Sequence, residues 1–285
     1  MCAKAQVREH WERETAGVRY GEGQDTRGFY QAIEEWRYSL EPYIPDFAQF
    51  QNYQGKTILE IGVGAGTDFS QFLRHGARAA GVDLTAASIQ HTARRLEALG
   101  HSRDSFHLSQ ADTENLPFNG NSFDLVYSWG VLHHTPDTPR AFAEARRVLK
   151  PGCYLRAMVY HVPSWTGWLL WVRHALLRGK PFLSPRMCIY RYLESPGTHS
   201  YTVGEAHTMV RDLGFAEIDI KTELGPGDLL TIKASHRYQG RAYRLIWSLY
   251  PRWLVRRLGR RFGLYLLVTA KKPPMSPNSA AGQLP

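Results

Sequence analysis

The sequence predicts an α/β fold with a doubly wound, mostly parallel sheet. Between residues 57 and 160, short apolar runs alternate with helical patterns, which is typical of βαβ units. A glycine-rich turn, LEIGVGAGTD (59–68), follows the first apolar run, where a strand would pass into a helix. The chain has 285 residues, 43% of them hydrophobic, so it can bury the core that such a sheet needs.

Apolar segments of strand length are predicted to form the sheet in chain order. The first five are TILEI (57–61), AAGVD (79–83), SFHLS (105–109), FDLVYS (123–128) and CYLRAMVY (153–160). Two later segments, FAEIDIKTE (215–223) and GLYLLVTA (263–270), are predicted to complete it.

Helices are predicted between these strands. The segment AASIQHTARRLEALG repeats apolar residues at helical spacing and ends at Gly100, and TPRAFAEARRVLKPG does the same before Lys-Pro-Gly. Thr202 and Glu205 have the spacing of a capping box, which predicts a further helix that ends at Gly214.

The chain is expected to have four parts. Residues 1–56 are an N-terminal helical cap, 57–160 the core, 161–272 the completion of the sheet with helical insertions at 161–200 and 225–262, and 273–285 a disordered tail.

Composition excludes several classes of protein. The N-terminus is charged and lacks the apolar segment of a secretory signal, and no apolar run approaches the ~18 residues of a membrane-spanning helix. We therefore expect a soluble, cytoplasmic protein. Cys2, Cys153 and Cys188 have neither disulfide nor zinc-ligand spacing, so no metal site is expected.

The net charge of +9 has a local origin. Residues 241–272 contain nine Lys and Arg and no Asp or Glu. Both insertions also combine Trp and Leu with basic residues. They are expected to form a lid over the site or, through the Arg-rich segment 241–261, to contact an anionic membrane surface, and the two roles are compatible. No nucleic-acid-binding module accompanies the basic residues, which disfavours that partner.

The glycine turn fits neither a dinucleotide fingerprint nor a P-loop. Its pattern E-x-G-x-G-x-G puts Thr67 or Phe69 where the fingerprint needs its last glycine, and Gly-Lys-Ser/Thr is missing. Glycines at alternate positions still allow a ligand to approach the backbone at the start of a helix. Because Glu60 would repel a pyrophosphate, the turn predicts a ligand whose near end is cationic.

Five motifs in order extend this pattern: LEIGVGAGTD, GVDLT (81–85), ADTENLPF (111–118), FDLVYSWGVLHHTPD (123–137) and RRVLKPGCYL (146–155). The set resembles class I S-adenosylmethionine-dependent methyltransferases, in the branch of ubiquinone/menaquinone-type and small-molecule enzymes. The resemblance covers 57–160 closely, and 202–222 with 263–272 loosely. It implies a Rossmann-like sheet of seven strands with an antiparallel last strand, and S-adenosyl-L-methionine as cofactor.

The resemblance assigns the glycine turn to the methionine end of the cofactor. Gly62, Gly64 and Gly66 would line it, and Glu60 would lie beside its ammonium group. For Glu60 the alternative is a structural hydrogen bond to the turn.

Further cofactor contacts are implied at the ends of the following strands. Asp83, with Leu84 beside it, would accept hydrogen bonds from the ribose hydroxyls. Asp112 and Thr113 would contact the adenine. The other implied contacts are Ser128 and Trp129 at the sulfonium end, and Tyr20 as a cover. An aspartate in such a position can equally cap a helix, and Tyr20 can equally be a packing residue.

Three histidines are candidate general bases. Methyl transfer to a hydroxyl group needs a proton acceptor as well as alignment of the nucleophile. His133 and His134 follow the fourth strand, and His161 follows the fifth, on the edge where ligands bind in open α/β sheets. Adjacent side chains are expected to point apart, so one of the pair should face the substrate. A structural role is the alternative for each.

These features favour a methyltransferase that acts on a small, hydrophobic or lipid-like acceptor, by O- or C-methylation rather than N-methylation. Two other functions remain possible from the sequence. One is a nicotinamide-dependent oxidoreductase of similar fold, and the other is a binding protein that kept the fold without catalysis.

Overall fold

The computed structural model describes residues 3–21, 25–195, 197–231 and 250–274. Seven strands form one sheet in the order β3-β2-β1-β4-β5-β7-β6. The strands are β1 (Thr57–Ile61), β2 (Arg78–Asp83), β3 (Phe106–Gln110), β4 (Phe123–Trp129), β5 (Leu149–Tyr160), β6 (Ala216–Glu223) and β7 (Tyr265–Lys271).

The sheet is parallel except at its last strand. β1 pairs in parallel with β2 and with β4, whereas β7 lies antiparallel between β5 and β6. This confirms the predicted doubly wound sheet with an antiparallel last strand. The strand order reverses between β1 and β4, so the crevice at the carboxyl ends of these strands is where a ligand is expected.

Ten helices of five or more residues occur in the described parts of the chain. They are α1 (Ala3–Arg13), α2 (Thr26–Leu40), α3 (Ile44–Ala48), α4 (Thr67–Arg74), α5 (Ala86–Ala98), α6 (Thr138–Val148), α7 (Trp165–His174), α8 (Pro185–Tyr192), α9 (Val203–Asp212) and α10 (Arg252–Leu258).

Side-chain caps determine where several helices begin. The Thr85 hydroxyl accepts from the Ser88 amide at the start of α5, and Asp137 accepts from Arg140 at the start of α6. The capping box predicted at α9 is present, with both of its reciprocal hydrogen bonds.

Both faces of the sheet are buried because alternate residues of the central strands point to opposite sides. Leu59 and Ile61 pack with Phe142 of α6 on one face. Ile58 packs with Phe69 of α4 on the other. The sheet therefore holds the ends of its strands rigidly at the crevice.

Parts of the sequence-based predictions lie outside the described residues. They are residues 232–249 of the second predicted insertion, which include the basic segment 241–249, and most of the tail, 275–285. Among the described residues, no helix combines the length and apolar character needed to cross a membrane.

Candidate active site

The glycine turn after β1 adopts a conformation that its sequence requires. Gly62, Gly64 and Gly66 have φ of 83°, 52° and 73°, in the left-handed region that side chains disfavour. A Cβ atom at Gly62 would lie 2.1 Å from Cγ2 of Val131, so that glycine also permits a close approach. Because these glycines have no side chains, the backbone between the end of β1 and the start of α4 is accessible to a ligand.

A cavity lies in front of this turn. It contains about 820 Å³ of space not filled by atoms, part of it open to solvent. The turn, the ends of β2 and β4 and the segment after β3 form its walls, and α1 covers it. The predicted site residues in its lining are Gly62, Gly64, Asp83, Leu84, Asp112, Thr113, Trp129 and His134.

Asp83 joins the cavity wall to the glycine turn. Its Oδ2 accepts from the Gly64 amide at 3.1 Å, and its Oδ1 accepts from the amide and hydroxyl of Thr85 at 3.0 and 2.8 Å. Burial raises the pKa of Asp83, and these hydrogen bonds offset the rise in part. A carboxylate has enough lone pairs to accept further bonds from a diol in the cavity.

The segment after β3 presents two polar side chains. Asp112 Oδ2 accepts from Lys4 Nζ of α1 at 2.7 Å, and the same lysine reaches Glu114 at 2.6 Å. Thr113 is buried, and its hydroxyl has no hydrogen-bond partner in the described structure. A ligand with a donor or acceptor at this position would satisfy that hydroxyl. The role of Lys4 had no signal in the sequence, because its partners lie more than 100 residues away.

Trp129 forms part of the apolar wall. It is 9% exposed and lies at the end of β4, next to Gly130 and Val131 in the lining. Ile61, Val82 and Ala111 continue this wall, and Val7 and Trp11 of α1 complete it from above.

Glu60 lies beneath the turn rather than in the cavity lining. Its Oε2 is buried and is not hydrogen-bonded to any described group. Nearby Asp68 accepts from Arg37, Tyr38 and Tyr127 at 2.6–3.0 Å. Burial raises the pKa of Glu60 well above its ordinary value, and the charges of Asp68 and Asp83 raise it further, against the opposing effect of Arg37.

Three other predicted cofactor contacts lie outside the lining. Gly66 packs towards α5, where a Cβ atom would lie 2.9 Å from Cγ2 of Thr92. Ser128 is fully buried and donates its hydroxyl hydrogen bond to the Ile61 carbonyl, which joins β4 to β1. The Tyr20 ring stacks on Trp36, with ring centroids 3.2 Å apart.

Of the three candidate bases, His134 lines the cavity. Its Nδ1 lies 2.9 Å from the Ser195 hydroxyl and 3.1 Å from that of Thr198. Its Nε2 lies 3.3 Å from Oε2 of Glu194, which also accepts from the Tyr160 hydroxyl at 2.8 Å. The insertion after β5 therefore places a carboxylate against His134, which lines the cavity.

Glu194 was not identified from the sequence, because nothing in its local pattern distinguishes it from a surface glutamate. It has φ of 55° and is 38% exposed. Burial raises the pKa of Glu194, but the neighbouring His134 and Tyr160 outweigh that effect, so the pKa is lowered. An ionised Glu194 favours the His134 tautomer with its proton on Nε2.

His133 and His161 are buried away from the cavity. The His133 ring lies 4.1 Å from that of Tyr160, and burial lowers the pKa of His133 well below its usual value. His161 Nδ1 lies 2.8 Å from the Gly263 carbonyl oxygen. The expectation that adjacent side chains point apart was wrong for the pair, whose ring centroids are 4.3 Å apart, because both residues lie in one short 3-10 turn, Leu132–His134.

The core of the chain matches a known family model, and several curated proteins resemble part of it. The model is described as a methyltransferase domain and matches residues 59–157. A phthiotriol/phenolphthiotriol dimycocerosates methyltransferase from Mycobacterium leprae is 39% identical over 106 residues, which is 36% of this chain and 37% of that protein. Phosphoethanolamine N-methyltransferase 2 from Caenorhabditis elegans is 34% identical over 38% of this chain and 24% of its own. These matches thus span about a third of the chain, and about a third or less of each relative.

Solved structures share the fold over most of the chain. A geranyl diphosphate C-methyltransferase from Streptomyces coelicolor aligns with a TM-score of 0.62 at 17% identity, covering 95% of this chain and 98% of its own. Phosphoethanolamine N-methyltransferase 2 from Haemonchus contortus aligns with a TM-score of 0.60 at 18% identity, covering 94% and 60%. Residues 59–157 of this chain therefore resemble a methyltransferase domain in sequence, and the chain shares the fold of these solved methyltransferase structures.

Proposed function

We propose that this protein transfers a methyl group from S-adenosylmethionine to a hydrophobic, lipid-like acceptor, at oxygen or carbon rather than nitrogen. One observation carries the proposal: a single cavity joins the glycine turn, Asp83 and Asp112 to the apolar wall at Trp129 and to His134. The polar groups suit a nucleoside with a cationic end, and the apolar wall suits a hydrophobic acceptor.

The cofactor site would use groups that the fold already orients. Asp83 would accept from the ribose hydroxyls, and Asp112 with Thr113 would contact the adenine. The backbone of Gly62 and Gly64 would line the methionine end. The raised pKa of Glu60 is consistent with a cationic partner there, since a nearby positive charge would favour its ionised form.

The acceptor class is inferred from the apolar wall and from the relatives. Ile61, Val82, Val131 and Trp129 offer no charged group to an ammonium or phosphate acceptor. The matching Mycobacterium leprae relative is, by its name, a methyltransferase of phthiotriol-type dimycocerosates, and the Streptomyces coelicolor neighbour is one of geranyl diphosphate. The phosphoethanolamine enzymes are N-methyltransferases by name. Product analysis must therefore establish whether oxygen, carbon or nitrogen receives the methyl group.

A proton must leave a hydroxyl acceptor as the methyl group arrives. S-adenosylmethionine, when bound, supplies an electrophilic methyl group on a sulfonium. The Glu194 carboxylate would take up this proton, and His134, with its own proton on Nε2, would orient that carboxylate and line the place of the acceptor. Tyr160 would hold the Glu194 carboxylate in place through the 2.8 Å hydrogen bond.

Calorimetric titration tests the cofactor half of this proposal. Wild type should bind S-adenosylmethionine, and Asp83→Ala should weaken binding about 100-fold, because two hydrogen bonds to a charged group are lost. Asp104→Ala, at an exposed aspartate outside the cavity, is the matched control and should bind normally. No binding by wild type, or equal binding by Asp83→Ala, would contradict the assignment.

Mass spectrometry of lipid extracts incubated with the enzyme and methyl-labelled cofactor tests the acceptor half. A labelled lipid should appear with wild type and be absent without enzyme. Label found only in polar amines would refute the acceptor class and leave the cofactor site intact.

A further inference from the structure

Exposed apolar side chains are concentrated in one part of the molecule. Eleven large hydrophobic residues are exposed in the described parts of the chain, and eight of them lie between Trp168 and Tyr192. Phe182 is 100% exposed and Leu177 76%. The eight are Trp168, Val172, Leu176, Leu177, Phe182, Met187, Tyr190 and Tyr192. We name this region, residues 168–192, the α7–α8 surface.

The opposite side of the same hairpin is firmly packed. Cys188 and Ile189 of α8 are fully buried, and Ile189 belongs to the core cluster on one face of the sheet. The start of α7 is held by buried Asp228, which accepts from the amide and hydroxyl of Thr166 at 2.9 and 2.7 Å. The exposed apolar residues are therefore the outer face of an anchored element.

The outer face of α7 has the pattern of a helix that contacts an apolar phase. Trp168 and Val172 are four residues apart in α7, which places them along one side, and Leu176 follows in the short turn after the helix. Leu177 and Phe182 extend this side into the turn that leads to α8. Contiguous apolar patches of this kind mark surfaces that contact a partner or a membrane.

The charges of the hairpin indicate which partner. Residues 162–193 contain no Asp or Glu, and their five cations are Arg173, Arg178, Lys180, Arg186 and Arg191. Arg178 and Lys180 are exposed in the turn next to Leu177 and Phe182. An apolar tip flanked by basic side chains matches the acyl boundary and the anionic headgroups of a bilayer.

We propose that the α7–α8 surface docks the protein on an anionic lipid bilayer, with Leu177 and Phe182 entering the acyl boundary. The hairpin also reaches the active site, because Glu194 follows directly after α8 and contacts His134 in the cavity lining. Docking by this surface places the end of the cavity next to the membrane, where a lipid-like acceptor resides. The docking itself does not depend on the methyltransferase activity.

The sequence-based hypothesis placed membrane contact on the Arg-rich segment 241–261, of which 241–249 lies outside the described residues. The described remainder, α10, exposes Trp253 and Leu258. The 3-10 turn after α10, Arg260–Phe262, approaches α7 where the Trp165 and Phe262 ring centroids are 5.9 Å apart. The proposal assigns membrane contact mainly to the α7–α8 surface. The two hypotheses therefore predict that different variants lose membrane binding.

Vesicle flotation with the full-length protein tests the proposal. The wild type should float with vesicles of phosphatidylglycerol and phosphatidylcholine at low salt, and much less with phosphatidylcholine alone. Leu177→Asp/Phe182→Asp should reduce binding at least about tenfold, because two inserted apolar side chains become charged. Arg178→Glu/Lys180→Glu should reduce it several-fold and remove most of its salt dependence.

Matched controls separate this surface from general effects. Val203→Asp changes an exposed apolar residue of α9, and Arg78→Glu/Arg103→Glu makes the same change in charge elsewhere. Both should float like wild type. Circular dichroism and S-adenosylmethionine binding report whether each variant is folded and whether the cofactor site works, so they distinguish failure of docking from failure of the proposed function.

Three results would overturn the proposal. The first is no flotation of wild type, and the second is unchanged flotation of Leu177→Asp/Phe182→Asp, which would move the contact elsewhere. The third is a combination of two findings. Sedimentation shows a concentration-dependent dimer of the wild type that Leu177→Asp/Phe182→Asp abolishes, and the wild type floats with neutral vesicles only. That result would assign the surface to a second copy of the chain.

Discussion

Glu60 lies buried beneath the glycine turn, close to the carboxylates of Asp68 and Asp83. Asp68 is neutralised by Arg37 and by two tyrosine hydroxyls, whereas Glu60 Oε2 has no such partner among the described residues. The two acids, eight residues apart in sequence, therefore have different partners, and burial raises the pKa of Glu60.

The raised pKa of Glu60 predicts how stability depends on pH. The folded chain holds this proton more tightly than the unfolded chain, whose Glu60 has a pKa near 4.5. Stability is therefore lost as pH rises from that value through the folded pKa. Glu60→Gln should be more stable than wild type at pH 8 by at least about 1 kcal/mol, and the difference should shrink at pH 5.

Urea unfolding at the two pH values measures this difference. Glu97→Gln, at an exposed glutamate of α5, should show no such dependence. An equal effect of Glu60→Gln at pH 5 and pH 8 would argue against a buried, protonated Glu60.

Glu194 is the residue whose role depends most on its tertiary contacts. Glu194→Gln should lower kcat about tenfold to 1,000-fold with a hydroxyl acceptor and leave the affinity for S-adenosylmethionine unchanged, because the carboxylate contacts His134 and Tyr160 rather than the glycine turn. His134→Ala should likewise lower kcat and leave the affinity for S-adenosylmethionine unchanged.

The pH profile of kcat checks this assignment. Since the pKa of Glu194 is lowered, wild type should keep its proton-accepting carboxylate in mildly acidic solution, and Glu194→Gln should lose the acidic limb of the profile. Asp137→Asn, at an exposed carboxylate outside the cavity lining, is the control. Full activity of both Glu194→Gln and His134→Ala would remove the proton-accepting role from this pair.

At the scale of elements, helix α2 is docked on α4 and α5 by one glutamate. Glu34 Oε2 accepts from Arg95 at 2.6 Å, and its Oε1 accepts from Gln71 at 2.7 Å and from Arg74 at 3.0 Å. Arg95 is fully buried, so its charge depends on this partner. The docking also positions Arg37 of α2 against Asp68 beneath the glycine turn.

Glu34→Ala should destabilise the protein by about 3 kcal/mol, because it leaves the Arg95 guanidinium buried without its counter-charge. Glu35→Ala removes the neighbouring, exposed carboxylate and should change stability by less than about 0.5 kcal/mol. The free energy of unfolding in urea compares the two, and equal values would show that the buried pair adds nothing to stability.

The strands could be predicted from the sequence because their apolar patterns are local. Each predicted strand matches an observed one to within one or two residues at its ends, except that β5 begins at Leu149 rather than at residue 153. The extra residues are Leu149 to Gly152, and Leu149 pairs with Phe123 of the neighbouring strand β4. The sequence predicts that Lys-Pro-Gly ends the preceding helix. In the structure these residues also form the start of β5, because this part of the chain pairs with β4.

At the scale of the whole molecule, ligand binding should stabilise the entire chain. The cavity is lined by α1, by the glycine turn and by residues at the ends of β2 and β4, so a bound cofactor would connect the helical N-terminus to the sheet. S-adenosylmethionine at 100 times its dissociation constant should add about 2.7 kcal/mol and raise Tm by several degrees.

Differential scanning fluorimetry checks this shift, with reduced nicotinamide dinucleotide as the comparison ligand. No shift is expected with the dinucleotide, because the turn lacks the last glycine of its fingerprint. A shift with the dinucleotide and none with S-adenosylmethionine would favour the oxidoreductase alternative.

The sequence by itself determined the strands of the sheet, apart from the start of β5, and the position of the glycine turn, because periodicity and left-handed glycines are local properties. It also placed Asp83, Asp112 and His134 in their motifs. Only the tertiary structure decided which residues meet in the cavity. Lys4 and Trp11 reach it from the distant helix α1, and Glu194 reaches its lining residue His134 from the insertion. Ser128 and His133 lie outside the lining. Packing of the cap and the insertion against the sheet decides those contacts, and no local pattern encodes such packing.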